Sequence, residues 1–307
     1  MVPGREVELN EFTGRTAVVT GAASGIGRAI AERCAREGMK LVLADIEQDP
    51  LAAVVDSLQA LGTEVEVTSL PTDVSSFEQV EELARVAFDT YGEVHLLFNN
   101  AGVSASGPVW ESSLDDWQWV LGVNLCGVVH GVKAFVPRML PQQCPSHIVN
   151  TSSILGLVAS PDMGVYNVAK AGIIALTETL YLDLAAKNSS INVSVLCPAW
   201  VNTRILESYR NRPAGMKPEA EQPHQSATSI EHRQKGLEAG LSPDVVAISV
   251  FQAIRDNRFY IFTHPETPLL LKAQLGAILA GEGPVNPVAL AAKLAAAQSQ
   301  KPEQDKT

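Results

Sequence analysis

The stretch TAVVTGAASGIGRAI, residues 16–30, decides the fold. An apolar, β-branched run over 16–20 ends at Gly21, and a helical pattern follows from Gly25. Gly21, Gly25 and Gly27 form a G-x-x-x-G-x-G pattern, and glycines at such a turn allow positive φ and close approach of the backbone to a ligand. The helix that follows offers free N–H groups and a positive dipole end. We favour a dinucleotide-binding turn over a tight turn without a ligand.

Apolar runs alternate with helical patterns along most of the chain. Strands are predicted at 16–20, 41–45, 64–70, 94–99, 147–152, 191–197 and 259–262, and helices near 25–38, 50–61, 76–91, 116–140, 164–187 and 243–257. Near-continuous Val/Ile/Leu strands between helices indicate a parallel sheet covered on both faces. The sequence therefore predicts an α/β fold, with one Rossmann-like, doubly wound domain over 1–263 that holds a seven-stranded, mainly parallel sheet.

Two regions depart from this alternation. Region 203–242 is polar, contains several prolines and has no predicted strand. A long irregular insertion in a compact domain is usually functional or mobile. Residues 264–307 are predicted to form a C-terminal helical extension, with helices at 266–280 and 287–299 and a disordered charged end.

Composition limits the class of partner. A hydrophobic content of 46% and a charged content of 19% indicate a globular protein. The net charge of −11 argues against nucleic acid and against an anionic membrane surface. The four cysteines are scattered without a C-x-x-C, which favours buried thiols in a reducing compartment. The charged first residues do not form a signal peptide, so we expect a cytoplasmic protein with no membrane partner.

Asp45 ends the second predicted strand, 18 residues after Gly27. An acidic residue there can accept hydrogen bonds from ribose hydroxyls, and its charge would repel a 2′-phosphate, which favours NAD over NADP. Asp49 and Pro50 already suit the N-cap and N1 positions of the next helix, and this leaves Asp45 free for the ribose.

Asp73 follows the third predicted strand in a similar way. Ser75 and Glu78 have the spacing of a capping box, so the next helix can be capped without Asp73.

Several separate motifs, in the expected order, resemble those of the short-chain dehydrogenases/reductases. They are TGAASGIG (20–27), TDV (72–74), NNAG (99–102), VNLCG (123–127), NTSS (150–153) and YNVAK (166–170). The resemblance covers residues 12 to about 262. It implies a catalytic set of Asn124, Ser153, Tyr166 and Lys170. It also implies cofactor contacts from Gly21, Ser24, Gly25, Ile26, Gly27, Asp45, Ile46, Asp73, Val74, Asn100, Ala101, Gly102, Tyr166, Lys170, Pro198, Val201 and Thr203.

The tyrosine and lysine of YNVAK lie four apart, on one face of the predicted helix. Hydride transfer between a nicotinamide and a carbonyl needs a proton moved on the oxygen. A tyrosine, with its pKa near 10, is a poor base at neutral pH, and we expect Lys170 and the positive nicotinamide to lower that pKa. Ser153 would hold the substrate oxygen near Tyr166. The resemblance implies that Lys170 also binds the ribose and that Asn124 positions a proton-relaying water.

One position departs from the family pattern. The sequence has Pro198-Ala199 where the family usually has Pro-Gly. Alanine does not adopt positive φ cheaply, so we expect the backbone near the nicotinamide amide to differ in detail. Val201 and Thr203 are in place to contact that amide.

The predicted function is an NAD-dependent oxidoreductase acting on a secondary alcohol or ketone. Region 203–242 follows the nicotinamide site and should cover the substrate as a lid. Its residues Ile205, Leu206, Tyr209 and Met216 suggest a bulky, partly apolar substrate, and two stretches resemble dehydrogenases of benzylic alcohols. The helices at 116–140 and 164–187 resemble those that pair subunits in the family, which implies a homodimer or homotetramer.

Other functions have less support in the sequence. The six histidines lack metal-ligand spacing, so no metal is predicted, and there is no G-x-S-x-G elbow of a serine hydrolase. Trp110, Trp117 and Trp119 suit packing or an interface better than a pocket wall. A regulatory or scaffold protein that binds a nucleotide without turnover, a preference for NADP, and epimerisation on the same fold stay open.

Overall fold

The computed structural model describes residues 9–60, 65–216 and 227–290, apart from the side chains of 227–230 and 232. Within these ranges seven strands form one sheet in the order β3-β2-β1-β4-β5-β6-β7, and every neighbouring pair is parallel. The strands are β1 Thr16–Thr20, β2 Lys40–Asp45, β3 Val67–Pro71, β4 Leu96–Asn99, β5 Ser146–Thr151, β6 Ile191–Cys197 and β7 Tyr260–Phe262. The predicted α/β architecture is confirmed.

Helices connect the strands. They are α1 Gly25–Arg36, α2 Gln48–Gln59, α3 Phe77–Tyr91, α4 Leu114–Val120, α5 Gly127–Met139, α6 Gly164–Ala186, α7 Ala227–Glu238, α8 Pro243–Arg255 and α9 Thr267–Ala280. A π-helical turn, Leu121–Cys126, joins α4 to α5, and short 3₁₀ turns lie at Leu140–Gln142, Ile154–Gly156 and Ile205–Asn211.

Both faces of the sheet are buried because side chains alternate along each strand. In β1, Val19 belongs to an apolar cluster with Ile30 of α1 and Phe251 of α8. Val18, on the opposite face, belongs to a cluster with Leu83 of α3. This two-sided burial explains the near-continuous apolar strands and brings the carboxyl ends of β1, β4, β5 and β6 to one edge, where parallel α/β sheets place their ligands.

The helix starts after β2 and β3 differ from the predicted ones. The N-cap of α2 is Glu47, so Asp49 and Pro50 lie within its first turn. The cap of α3 is Ser76, whose Oγ accepts from Gln79 N at 3.3 Å. Predicting Ser75 as the cap was wrong by one residue, because Ser75 bonds through its N and Oγ to Asp73 instead.

Region 203–242 is more regular than predicted. It holds the 3₁₀ turn Ile205–Asn211 and helix α7, while residues 217–226 lie outside the described residues. Helix α9 confirms the predicted helix at 266–280. Of the predicted helix at 287–299 only residues 287–290 are described, and they are helical; the predicted disordered end is outside the described residues.

The helical stretch Leu114–Gln142 is long and apolar enough to cross a bilayer by length and composition alone. Half of its most apolar window is buried inside the fold, where α5 packs against α3 and β4. A helix that covers one face of a parallel sheet is apolar and partly buried in the same way.

Candidate active site

The turn between β1 and α1 depends on its glycines. Gly21 and Gly25 have φ of +68° and +55°. A Cβ on Gly21 would lie 2.8 Å from Ala101 Cα, and one on Gly27 would lie 2.0 Å from Gly21 O. Larger residues would therefore push α1 away from the strand ends. The turn keeps its backbone open to a ligand at the N-terminus of α1, which suits the pyrophosphate of a dinucleotide.

The end of β4 is tied to the end of β1. Thr20 Oγ1 accepts from Asn100 N at 2.9 Å and from Ala101 N at 3.2 Å. The Asn100 side chain donates to Thr20 O at 3.1 Å. These bonds hold the NNAG loop beside the glycine turn.

Asp45 has a structural task that the sequence did not reveal. Its Oδ2 accepts from Ala23 N at 2.9 Å and its Oδ1 from Glu47 N at 3.0 Å. The prediction that Asp45 is free of structural tasks was therefore wrong, because Asp45 ties the glycine turn to the start of α2. Burial raises the pKa of this carboxyl, and the backbone N–H groups oppose the rise. A carboxylate has about four acceptor positions, so capacity remains for ligand hydroxyls.

Ser153, Tyr166 and Lys170 converge where β5 meets α6. The Tyr166 phenol is hydrogen-bonded to the Ser153 side chain. Lys170 is only 3% exposed, and its Nζ donates to Thr151 O at 3.0 Å and lies 5.4 Å from the centroid of the Tyr166 ring. The three residues predicted from separate motifs are thus brought together.

The electrostatics of this cluster differ from the prediction. Burial raises the pKa of Tyr166 to about 12, and the hydrogen bond with Ser153 only partly opposes this rise. Burial also lowers the pKa of Lys170 to about 8. Desolvation thus outweighs the predicted effect of the lysine, and the protein's own groups keep the phenol protonated at neutral pH.

Asn124 lies in the π-helical turn and is fully buried. Its Nδ2 donates to Val103 O at 2.9 Å and its Oδ1 accepts from Val103 N at 2.8 Å. The side chain is thus engaged with the backbone next to Gly102, where an added Cβ would lie 3.3 Å from Asn124 Oδ1 and 3.6 Å from Lys170 Nζ. Asn124 orders the loop beside the lysine and does not itself line the cavity.

One cavity of about 740 Å³ joins the glycine turn to the Ser153–Tyr166–Lys170 cluster. Every predicted site residue lines it except Gly27 and Asn124, which pack directly behind its wall. Both the glycine turn and the Ser153–Tyr166–Lys170 cluster contribute residues to its walls. The volume, the turn that a Cβ would fill and the acidic group after β2 fit a dinucleotide together with a substrate.

The backbone at Ala199 is ordinary. Ala199 is not among the non-glycine residues with positive φ in the described ranges, which include Asp162 and Asn188. Its N donates to His264 Nδ1 at 3.4 Å, and the preceding carbonyl, Pro198 O, accepts from Ser153 Oγ at 3.3 Å.

Sequence reasoning missed much of the opposite wall. The cavity is also lined by Met163, by Trp200, by Arg233 and Leu237 of α7, and by Leu270 of α9. The spacing of four between Arg233 and Leu237 was the available signal, since such residues share a helix face.

The predicted aromatic and lid contacts are met in part. Trp119 lines the cavity, whereas Trp110 is 84% exposed. Ile205 and Leu206 line the cavity, as expected for lid residues. Tyr209 and Met216 instead pack on the apolar cluster that contains Trp119, together with Trp117.

The prediction of buried cysteines needs correction. Cys34 and Cys197 are buried, but Cys126 is exposed on the π-helical turn. Far from the cavity, possible ligand atoms of Glu93, His95 and Cys144 lie within 4.8 Å of one another. His95 Nδ1 accepts from Thr16 N at 3.1 Å, which places the ring proton on Nε2 and opposes metal binding there.

Comparisons with known proteins agree with this geometry. A family model described as short chain dehydrogenase matches residues 15–214. The chain is 33% identical over 279 residues to a CLA biosynthesis dehydrogenase/reductase of Lactiplantibacillus plantarum, covering 90% of this chain and 97% of the relative. It is 33% identical over 280 residues to a C alpha-dehydrogenase of Sphingobium sp. strain SYK-6, covering 90% of this chain and 89% of the relative. The crystal structure of a short chain dehydrogenase/reductase from Burkholderia phymatum in complex with NAD superposes on this chain with a TM-score of 0.87. The two chains are 46% identical, and the match covers 91% of this chain and 99% of the other.

Proposed function

Since this chain belongs to the short-chain dehydrogenase/reductase family of oxidoreductases, we propose that it transfers a hydride between NAD(H) and a secondary alcohol or ketone. The observation that carries the proposal is the meeting of Ser153, Tyr166 and Lys170 in the cavity that begins at the glycine turn. A proton-transfer group and a dinucleotide cradle thus open into one space.

NADH held in this cradle would supply the hydride in reduction, and NAD⁺ would accept it in oxidation. In reduction, Tyr166 donates its proton to the carbonyl oxygen, a role that suits a phenol with its pKa at about 12. Ser153 bonds the same oxygen and holds it near the phenol. Lys170, fixed by Thr151 O, holds positive charge beside the tyrosine and in position for a ribose hydroxyl. In oxidation the proton moves back to the tyrosine oxygen.

The preference for NAD over NADP rests on Asp45. Its carboxylate lies at the end of β2, where its negative charge opposes a 2′-phosphate, whereas the neighbouring Glu47 is paired with Arg210. The Burkholderia phymatum relative was solved with NAD, which supports the same choice.

We further propose that residues 203–242 form a lid within a domain over 1–263, and that 264–307 is an extension that adds a wall to the substrate site. Leu206 and Leu270 contribute apolar surface to the cavity from these two regions. A bulky, partly apolar or aromatic alcohol or ketone suits such walls.

The protein is further proposed to be cytoplasmic and a homodimer or homotetramer. Helices α5 and α6 expose apolar side chains that a second copy could cover, at Val129, Val168 and Leu182, which are 38%, 48% and 57% exposed.

Replacing Tyr166 with phenylalanine tests the proposal. Tyr166→Phe removes the transferable proton and keeps the ring, so turnover should fall by at least about 10²-fold. NADH binding should change little. Tyr181→Phe, on an exposed position of the same helix, is the matched control. Turnover is followed as NADH absorbance on a panel of secondary alcohols and ketones that includes steroids and aryl carbinols.

Two results would contradict the mechanism. Undiminished turnover in Tyr166→Phe would remove the tyrosine from the proton path. Tight NADH binding by the unmodified protein, with no turnover on any member of the panel, would favour a regulatory or scaffold protein.

A further inference from the structure

Arg233 places a buried positive charge in the wall of the catalytic cavity. The residue is only 7% exposed, although α7 is otherwise a polar helix. Its NH1 lies 3.6 Å from Met163 Sδ, and Met163 precedes Tyr166 by three residues at the start of α6. The guanidinium thus contacts a residue that lies one helical turn before the proposed proton donor in the chain. A cation buried in a cavity wall attracts a negatively charged group of a ligand more strongly than one exposed to water does.

The fold fixes the direction in which Arg233 faces. One turn further along α7, a Cβ on Gly236 would lie 2.8 Å from the Trp200 ring, so the helix rests directly on that ring. Leu241 N, just after α7, donates to Trp200 O at 3.0 Å. Leu237, four residues after Arg233, lines the same cavity. The inner face of α7 is thus held against the cavity by backbone contacts.

Several groups face the guanidinium. The carboxylate of Asp162 and the phenol of Tyr209 favour its charged form, and burial, the largest effect, opposes it, so that the pKa of Arg233 is lowered overall. The thioether of Met163 is a weak acceptor. An arginine presents five N–H donors in a fork that matches a carboxylate. A carboxylate that enters the cavity would meet this fork at the cavity wall.

We propose that Arg233 binds a carboxylate of the substrate and makes the protein selective for hydroxy or oxo acids. The acid group would lie at the α7 side of the cavity, and the reacting carbon would lie at Tyr166. An apolar chain or aromatic ring between the two would contact Leu237 and Trp119. This inference rests on the proposed oxidoreductase function and specifies its substrate class.

The test compares acids with uncharged analogues. The probes are aryl and alkyl oxo acids of increasing length and the carboxamide of each acid. Binding to the protein–NADH complex is measured by NADH fluorescence, and turnover by NADH absorbance. We expect at least one acid to bind ten-fold or more tightly than its amide, and Arg233→Gln to abolish that preference. Lys235→Gln, which removes a 71% exposed charge from the same helix, should keep it.

The outcomes separate this inference from the proposed function. Equal binding of every acid and its amide by the unmodified protein overturns the inference, and so does an acid preference that survives in Arg233→Gln. Both of these results concern binding, so they can be obtained whether or not turnover occurs. Absence of turnover with both acids and amides, together with acid-selective binding that depends on Arg233, would contradict only the proposed oxidoreduction. A thermal melt of each variant establishes that it is folded.

Discussion

Asp45 combines a structural role with a proposed role in the cofactor site. Its carboxylate bonds to Ala23 N in the glycine turn and to Glu47 N at the start of α2. In the proposed cofactor site the same charge opposes a 2′-phosphate. Its position at the end of β2 could be predicted from the sequence, because a strand end is a local signal. Its bond to Ala23 could not, because that contact depends on the parallel pairing of β1 with β2.

Asp45→Asn should shift the cofactor preference toward NADP. The amide keeps an acceptor for one backbone N–H and removes the negative charge, so the ratio of kcat/KM with NAD to that with NADP should fall by at least about tenfold, which corresponds to about 1.4 kcal/mol. Steady-state kinetics with both cofactors measure the ratio. Asp49→Asn, at an exposed position in α2, is the control and should leave it unchanged. An unaltered ratio in Asp45→Asn would show that this charge does not select the cofactor.

Ser153, Tyr166 and Lys170 could be predicted because each belongs to a short motif at a strand end or a helix start. Arg233 could not be singled out. The sequence of α7, ATSIEHRQKGLE, has no apolar stripe, and Gly236 argues against a helix. Only the contact of Gly236 with the Trp200 ring, which joins residues far apart in the chain, explains why glycine is there.

At the scale of elements, two arginine ion pairs help to attach the segment 205–216 to the rest of the fold. Arg210 forms a bidentate pair with Glu47, with NE–Oε1 and NH2–Oε2 distances of 3.0 and 2.8 Å. Arg212 pairs with Asp116 of α4, and the two side chains are 5% and 10% exposed. The first pair reaches the cofactor end of the cavity and the second reaches α4. The segment is therefore held across the cavity from both sides.

Breaking the buried pair of Arg212 with Asp116 should destabilise the protein strongly. Arg212 also lies over the Trp119 ring, with its CZ 5.4 Å from the centroid, and donates to Met216 O at 3.0 Å. Arg212→Met leaves the Asp116 carboxylate buried without its cation, which should lower the free energy of unfolding by about 3–5 kcal/mol. Urea denaturation measures the change.

A second variant separates charge from packing. Adding Asp116→Asn to Arg212→Met removes the uncompensated charge and should recover part of the loss. Arg204→Met, which breaks an exposed pair with Glu207, should cost less than about 1 kcal/mol. A similar cost for Arg212→Met and Arg204→Met would show that the buried pair contributes no more than a surface pair.

At the scale of the whole molecule, the parallel sheet buries a histidine. His147 of β5 is 0% exposed, and its Nε2 lies 2.7 Å from Ser194 Oγ on the neighbouring strand β6. Ser194 Oγ donates its proton to Arg258 O at 2.6 Å, so it accepts from His147 Nε2–H. Among the described residues Nδ1 is a buried atom without a hydrogen-bond partner. The geometry thus holds a neutral imidazole, and protonation of Nδ1 would bury an unpaired charge.

The overall architecture was the most predictable feature, since seven apolar runs between helices are compatible with few other folds. The pairing of His147 with Ser194 was not predictable. It depends on the register in which Ile148 lies opposite Val193, and the apolar pattern alone does not fix that register.

His147 makes global stability fall in acid. Burial lowers its pKa to about 3, against about 6.5 in an unfolded chain. Between these values the unfolded chain binds a proton that the folded protein does not. Well below pH 6.5 and down to the folded pKa, His147 therefore costs about 1.4 kcal/mol of stability for each pH unit, and above about pH 7.5 it contributes almost no pH dependence. Carboxyl groups add their own slopes in acid, so a matched variant is needed to isolate the histidine.

His147→Gln keeps a donor for Ser194 and cannot titrate. Urea unfolding of both proteins at pH 7.5, 6.5, 5.5 and 4.5 gives their difference in stability at each pH. The difference should change by only about 0.4 kcal/mol from pH 7.5 to 6.5 and should then shift in favour of the variant by about 2.3 kcal/mol between pH 6.5 and 4.5. A difference that stays constant down to pH 4.5 would mean that the folded protein admits the proton, and with it water or a counter-charge, at the centre of its sheet.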